Sequence, residues 1–339
     1  MRSSAAIRGI EYHLPAATLT TADLSERFPD WGVERIESRT GIHTRHIAAP
    51  DECASDLAYE AALKLFASGV ASPSDIDFLI LCTQYPDYFV PTTACTLQSR
   101  LGLPTEAGAM DMNLGTSGFV YALGLAKGLI ETGQASNVLV LTADTYSKFI
   151  HPLDRTVRTI FGDGAAATLI SAIDSDQPRI GPFVYGTDGR GAPNIIVKGG
   201  AARHPQFPVA DQSVAPEDMP ERPAGHLFMD GAEVFAFTLS AVPALFDALL
   251  RKSALSRDDI DVFVFHQANR HILDTLRKKL AIPEDRFVVA IGECGNTVSS
   301  TIPIAIKHAL CDGRIRPGKT VALLGYGMGL SWGGTIVRW

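Results

Sequence analysis

The sharpest periodic signal in the chain is FVYALGLAKGLI, where apolar residues recur at 119, 122, 123, 126, 129 and 130. That spacing follows the 3.6-residue repeat of a helix with one buried face. Just before it, GAMDMNL at 108–114 reads as a strand, so Thr116 and Ser117 fall at a strand-to-helix turn. Short apolar runs such as FLILC at 78–82 and VFVF at 262–265 barely alternate between apolar and polar positions. Runs of that kind predict strands covered on both faces, as in an α/β protein.

The patterns occur twice. PSDIDFLILCTQ at 73–84 resembles SRDDIDVFVFHQA at 256–268, and aligning Asp75-Ile76-Asp77 with Asp259-Ile260-Asp261 gives an offset of 184. Further on, the stretch 119–141 runs parallel to 301–324, with Val138-Leu139 matching Val321-Ala322 at an offset of 183. Each passage joins a helical stripe, a glycine-containing turn and a short apolar run, which predicts a helix followed by a buried strand. A nearly constant offset across several elements predicts one body made of two fused α/β halves. The join falls around 171–185, dividing the chain into 1–175, which carries Thr116, and 176–339, which carries His266 and Asn296. Between 186 and 227 a Gly/Pro-rich insertion has little periodicity and is expected to be an ordered excursion over the surface.

Composition changes this picture little. The 339 residues are 46% hydrophobic and 20% charged, ordinary for a globular protein. Thirty basic and 37 acidic residues leave a net charge of −7 without a block of either sign, which argues against nucleic acid as a partner. A local basic rim around a phosphate-bearing ligand remains compatible with it. The first residues lack the apolar core of a secretory signal, and no run of 18 apolar residues predicts a membrane span. Five cysteines at 53, 82, 95, 294 and 311, with no CxxC, read as free thiols in a reducing cytoplasm. Cys82 and Cys95 sit in apolar surroundings and are expected to be buried and inert. No HExxH, cysteine cluster or carboxylate-rich motif predicts a metal.

Three turns carry the candidate chemistry. Thr116 at a helix start would see unpaired N–H groups and the positive end of the helix dipole, a place that favours developing negative charge. Thr and Ser are equally good N-cap residues, and that reading needs no catalysis. His266 follows the run 262–265 and precedes a helical pattern, and Asn296 lies in a glycine-flanked turn before a helix beginning near 299. Together, His Nε2 and the Asn amide can donate to one carbonyl oxygen and stabilise an enolate. Taken singly, His266 also reads as a satisfied core histidine and Asn296 as a turn residue.

The motifs RTGIHTRHIA at 39–48, PTTACTLQSRLGL at 91–103, DMNLGTSGFVYAL, TIFGDGAAA, HQANRHI, GNTVSSTIP and GYGMGLSWGG occur in that order. As an ordered set spanning essentially the whole chain, they resemble the β-ketoacyl-acyl carrier protein synthase III branch of the thiolase superfamily. The resemblance implies a five-layer α-β-α-β-α fold of two duplicated halves and a homodimer. It also implies metal-free transfer of an acyl group from coenzyme A, followed by condensation with malonyl-acyl carrier protein. Acyl-CoA and malonyl-acyl carrier protein are then substrates, with no permanently bound cofactor. A Cys-His-Asn set carries the reaction in that family. His266 and Asn296 match it, but Thr116 stands where the cysteine is expected, bracketed by Asp111, Gly118 and Phe119.

A threonine hydroxyl is a far weaker acid and nucleophile than a thiol. Thr116 therefore either carries an acyl ester with His266 as base, or marks a site that keeps malonyl decarboxylation or another acyl transfer. A noncatalytic partner subunit and a Cys-to-Thr variant are further alternatives. The resemblance also implies an oxyanion hole from the N–H of Thr116 and of Gly327 or Gly329, and CoA contacts at Arg39 and Arg155. It places a base-stacking tryptophan four residues before Arg39, where this chain has Arg35, with Trp31 one helical turn earlier. Phe89, in the aromatic segment YPDYFVPTTAC, is the residue expected to reach across a dimer axis and close the partner's acyl tunnel. The glycines of FGDGAAA and GYGMGLSWGG lack Walker spacing and are expected to serve close packing instead.

Overall fold

The computed structural model describes residues 3–206, 208, 210–219 and 223–339. The strands Ser3–His13, Gly164–Asp174, Asn137–Asp144, Phe78–Cys82 and Gly108–Met112 lie side by side in that order in one sheet. A second sheet orders Val262–Phe265, Thr320–Gly327, Ser331–Arg338 and Ile180–Thr187. In both sheets the apolar runs pair in parallel: Phe78 faces Val138 and Gly108, and Val262 faces Val321. Parallel strands need helices on both faces, which explains runs with no polar side.

Two helices, Gly118–Glu131 and Thr301–Cys311, fill the space between the sheets. Phe119, Leu123 and Ile130 of the first, with Ile302 and Ile306 of the second, share one buried cluster with Val138, Val140, Val264 and Leu323 of the two sheets. The outer face of the first sheet is covered by Ala54–Ala67 and Thr93–Arg100, and that of the second by Gly231–Ser253 and Arg270–Lys279. Helix, sheet, helix, sheet, helix: the expected five-layer architecture is present.

The repeated Asp-Ile-Asp has a physical job that is the same in each half. Asp75 closes a capping box with Ser72, and Asp259 closes one with Ser256. Ile76 and Ile260 point into the core. Asp77 then accepts from the N–H groups of Ser136 and Asn137, while Asp261 accepts from Thr320 N–H and Lys319 Nζ. Both carboxylates thus pin the start of the neighbouring parallel strand, which sets its register.

The 23-residue helix Gly231–Ser253 is long and apolar enough to cross a membrane, with a mean hydropathy of 1.6 over an 18-residue window. Glu233 and Asp247 interrupt its sequence as an apolar run, and its Val242, Leu245, Phe246 and Leu249 pack on the second sheet. Two expectations need correction. Cys95 is exposed, because it occupies the outward side of Thr93–Arg100, whereas Cys82 is buried as expected. The insertion after 186 is more than a surface excursion. Its Ile195–Ile196 pairs with Phe228–Met229 just beyond it, and Ile195 and Met229 both line a cavity.

Candidate active site

Thr116 sits between the strand Gly108–Met112 and the helix Gly118–Glu131, at the turn the pattern predicted. Ser117 holds the N-cap position, yet its side chain makes no cap hydrogen bond. Ser331 Oγ gives its proton to Met328 O, so Ser117 donates across to Ser331 at 2.7 Å. Thr116 Oγ1 donates to Tyr326 O at 2.5 Å. Neither hydroxyl caps the helix; both cross to the second half. The flanking glycines make room for this. A Cβ on Gly115 would lie 2.3 Å from Gln84 Oε1, and one on Gly118 would lie 2.3 Å from Cys82 Sγ. Asp111 accepts from Thr93 N–H and Ala94 N–H at 2.7 Å, tying the start of the PTTAC helix to this turn.

His266 follows the last residue of Val262–Phe265, and its N–H extends the ladder to Leu324 O. Gln267 turns back to donate to Phe265 O and accept from Ala290 N–H, and Asn269 caps the next helix through Ile272 N–H. These bonds account for the other polar residues of HQAN. The imidazole is buried, with Nδ1 2.7 Å from Thr301 Oγ1 and Tyr326 edge-on at 5.4 Å. Desolvation pushes its pKa down to about 3, so the ring is neutral at ordinary pH.

Asn296 is placed by Gly295, whose φ of +69° suits glycine, in a turn that Val298 continues at φ +54°. A β-branched residue in that region is strained, on the order of 1–3 kcal/mol. The return is orientation: Val298 N–H donates to Asn296 Oδ1 at 3.0 Å, and Nδ2 gives one N–H to Ala268 O at 3.5 Å and keeps the other for the cavity. Behind the turn, Asp144 accepts from Gln84 N–H and from both the hydroxyl and N–H of Ser299. Its burial raises the carboxyl pKa to about 7. This buried clamp joins the two halves beside the site, and nothing in its local sequence marked it.

The structure brings Thr116, His266, Asn296 and Gly327 to one cavity of about 610 Å³. The three side chains are buried, whereas Arg39, which also lines the cavity, is exposed. Phe161, Ile195, Met229, Phe235 and Met328 give it apolar walls. Trp31 lines it too, and three guanidinium groups surround that ring: Arg35 at 4.9 Å, Arg155 at 5.8 Å and Arg39 at 6.0 Å. Arg155 does not line the cavity directly and also meets Glu217 at 3.3 Å. Gly327 lies against Thr116, since a Cβ there would come within 2.0 Å of Oγ1. Gly329 is not part of the wall, and its nearest neighbour would be Ser331. Gly162 packs similarly tightly, 2.4 Å from Cys294 O once a Cβ is added.

Phe89 is also off the wall of this cavity. It is 81% exposed, between Tyr88 at 63% and Val90 at 82%. Sequence reasoning missed Tyr326, Thr301 and Met328. Tyr326 lies inside GYGMG and followed a strand pattern, which was the one available hint.

Comparison with known proteins gives a consistent relationship. Residues 110–189 match the family model 3-oxoacyl-[acyl-carrier-protein] synthase III, and residues 250–339 match the model of its C-terminal part. The chain is 35% identical over 336 residues to beta-ketoacyl-[acyl-carrier-protein] synthase III of Caldanaerobacter subterraneus subsp. tengcongensis, covering 99% of this chain and 98% of that one. It is 37% identical to the synthase III 2 of Halalkalibacterium halodurans, covering 99% and 97%. Among solved structures, a 3-oxoacyl-(acyl-carrier-protein) synthase III shares 54% identity at a TM-score of 0.94, with 99% and 100% covered. The synthase III of Pseudomonas aeruginosa PAO1 shares 32% at a TM-score of 0.86, with 99% and 98% covered.

Proposed function

Because this chain belongs to the 3-oxoacyl-[acyl-carrier-protein] synthase III family of the thiolase superfamily, whose members are condensing acyltransferases, we propose that its cavity joins an acyl-CoA primer to a malonyl thioester on acyl carrier protein. The observation that carries this reading is the convergence of Thr116, His266 and Asn296 in one cavity that Trp31 and Arg39 also line. An aromatic face ringed by guanidinium groups is suited to a nucleotide base and its phosphates.

In this reading Thr116 Oγ1 attacks the acyl thioester, His266 Nε2 takes the hydroxyl proton, and that proton leaves on the CoA thiol. The N–H groups of Thr116 and Gly327 hold the oxyanion. The malonyl thioester then loses CO₂ while His266 and Asn296 donate to its thioester oxygen. The enolate carbon attacks the Thr116 ester, forming the new carbon–carbon bond. The bond between the acyl carbon and Thr116 Oγ1 breaks, the departing alkoxide takes a proton from solvent to restore the hydroxyl, and a 3-ketoacyl thioester departs. Alignment in one cavity replaces the entropy cost of bringing two acyl groups together.

One observation favours a second reading. The Thr116 hydroxyl spends its proton on Tyr326 O, which is no base, so acylation must first break a short bond. A chain in which that step fails would release CO₂ from malonyl thioesters without condensing. Intact-protein mass spectrometry with a panel of acyl-CoAs, followed by peptide mapping, separates the two. Condensation predicts an acyl ester on the Thr116 peptide that survives mild hydroxylamine, together with a 3-ketoacyl product. CO₂ without adduct or product establishes the second reading, and neither CO₂ nor adduct overturns both.

We also propose that the active form is a homodimer. Tyr88, Phe89 and Val90 form an exposed apolar stretch, and Gly108–Met112 is an edge strand with Met110 outward. An unpaired edge beside an apolar patch favours self-association. Light scattering over a wide concentration range is expected to give about twice the 36.3 kDa chain mass. A constant monomer mass would remove both the dimer and any role for Phe89 in a neighbouring cavity.

A further inference from the structure

The turn 296–301 treats its two active-site side chains alike. Asn296 has its acceptor, Oδ1, occupied from behind by Val298 N–H, while Nδ2 gives one N–H to Ala268 O at 3.5 Å and keeps the other for the cavity. His266 has Nδ1 occupied from behind by Thr301 Oγ1, while Nε2 makes no hydrogen bond among the described residues. A neutral imidazole has a single N–H, so the state of Thr301 decides whether Nε2 is a donor or a base. The Thr301 hydroxyl has one proton and two acceptors in reach: His266 Nδ1 at 2.7 Å and Val298 O at 3.1 Å. Both residues are buried, so no bulk water competes for that proton.

We infer that Thr301 is a positioning residue that donates to His266 Nδ1 and so keeps the ring's single N–H on Nε2, facing the substrate. With this orientation the cavity presents two N–H donors side by side, the arrangement an enolate oxygen requires. The opposite orientation sends the Thr301 proton to Val298 O and lets Nδ1–H donate to Thr301 instead. Only then does Nε2 carry the lone pair that can take the Thr116 proton. Thr301 thus sets the balance between the two half-reactions: the 2.7 Å contact to Nδ1 persists in both states, and the choice of the Thr301 proton between Nδ1 and Val298 O decides which ring nitrogen carries the N–H. Acylation of Thr116 draws on the form with Nδ1–H, whereas decarboxylation draws on the form with Nε2–H. The inference rests on the proposed role of His266 toward a malonyl thioester, but its primary readout does not.

That readout is the tautomer itself, seen in ¹⁵N–¹H correlation of protein labelled in histidine. His266 is expected as the Nε2–H tautomer, with Nδ1 shifted as a hydrogen-bond acceptor. Thr301→Val keeps the β-branched shape without the hydroxyl and is expected to lose that shift or show both tautomers, while Thr301→Ser keeps the wild-type signature. In parallel, Thr301→Val should lower kcat for CO₂ release by about tenfold or more with KM within about threefold, and Thr301→Ser should restore it. Thr301→Ala, read by the same spectrum, serves if the valine variant does not fold. A wild-type ring protonated on Nδ1, or a Thr301→Val protein with unchanged tautomer and rate, overturns the inference. A wild-type chain that releases no CO₂ but shows the Nε2–H tautomer overturns the proposed reaction and leaves the role of Thr301 standing.

Discussion

His266→Ala is expected to cut CO₂ release from a malonyl thioester by about 10²- to 10³-fold, the usual loss when one donor to a developing oxyanion is removed. The group lost is one of two N–H donors that the turn 296–301 leaves for the cavity, so Asn296→Ala should lose a similar factor. Because the pair acts on one oxygen, the double variant should fall well short of the product of the two losses. Thermal unfolding of each variant guards against a trivial explanation, since His266 is buried against Tyr326 and Thr301. A rate of CO₂ release within threefold of wild type in His266→Ala, with the fold intact, would remove the histidine from the mechanism.

Thr116→Cys is expected to move activity the other way. Both residues place a nucleophilic atom at the start of Gly118–Glu131, where unpaired N–H groups favour an anion. A thiol there ionises far more readily than a hydroxyl, and it is a weaker donor, so the short bond to Tyr326 O no longer holds it. The sulfur is freed and ionised at once. Acyl transfer from acyl-CoA should rise on the order of 10²-fold, measured as the rate of adduct formation by mass spectrometry. The adduct should become sensitive to hydroxylamine, and condensation should rise with it until the decarboxylation step limits. A Thr116→Cys protein that acylates no faster than wild type would show that the hydroxyl is not what restrains this site.

Much of this was legible in the residue order. The strand-to-helix turn at 116 followed from one helical stripe, and the two halves followed from Asp-Ile-Asp recurring at an offset of 184. Motif order named the family. What stayed hidden in the sequence was partnership. Cys95 looked apolar from its neighbours in the chain but faces outward, because local composition does not say which side of a short helix is covered. The insertion after 186 looked like surface, yet Ile195 and Met229 meet in the cavity wall through a two-residue ladder too short to show a period.

The candidate-site side chains divide along the same line. Residue types and their local turns are short-range properties, set by glycine spacing, cap chemistry and apolar period, and the sequence alone determined them at Thr116, His266 and Asn296. It also determined the five layers, because two copies of a helix–strand pattern leave few ways to bury both faces of two sheets. Tertiary structure alone decided what each polar atom bonds to. Thr116 finds its acceptor 210 residues away at Tyr326, and His266 meets the hydroxyl of Thr301 35 residues on. A hydroxyl proton or an imidazole tautomer answers only to atoms within about 3 Å, and those atoms become neighbours only after the two halves close on each other.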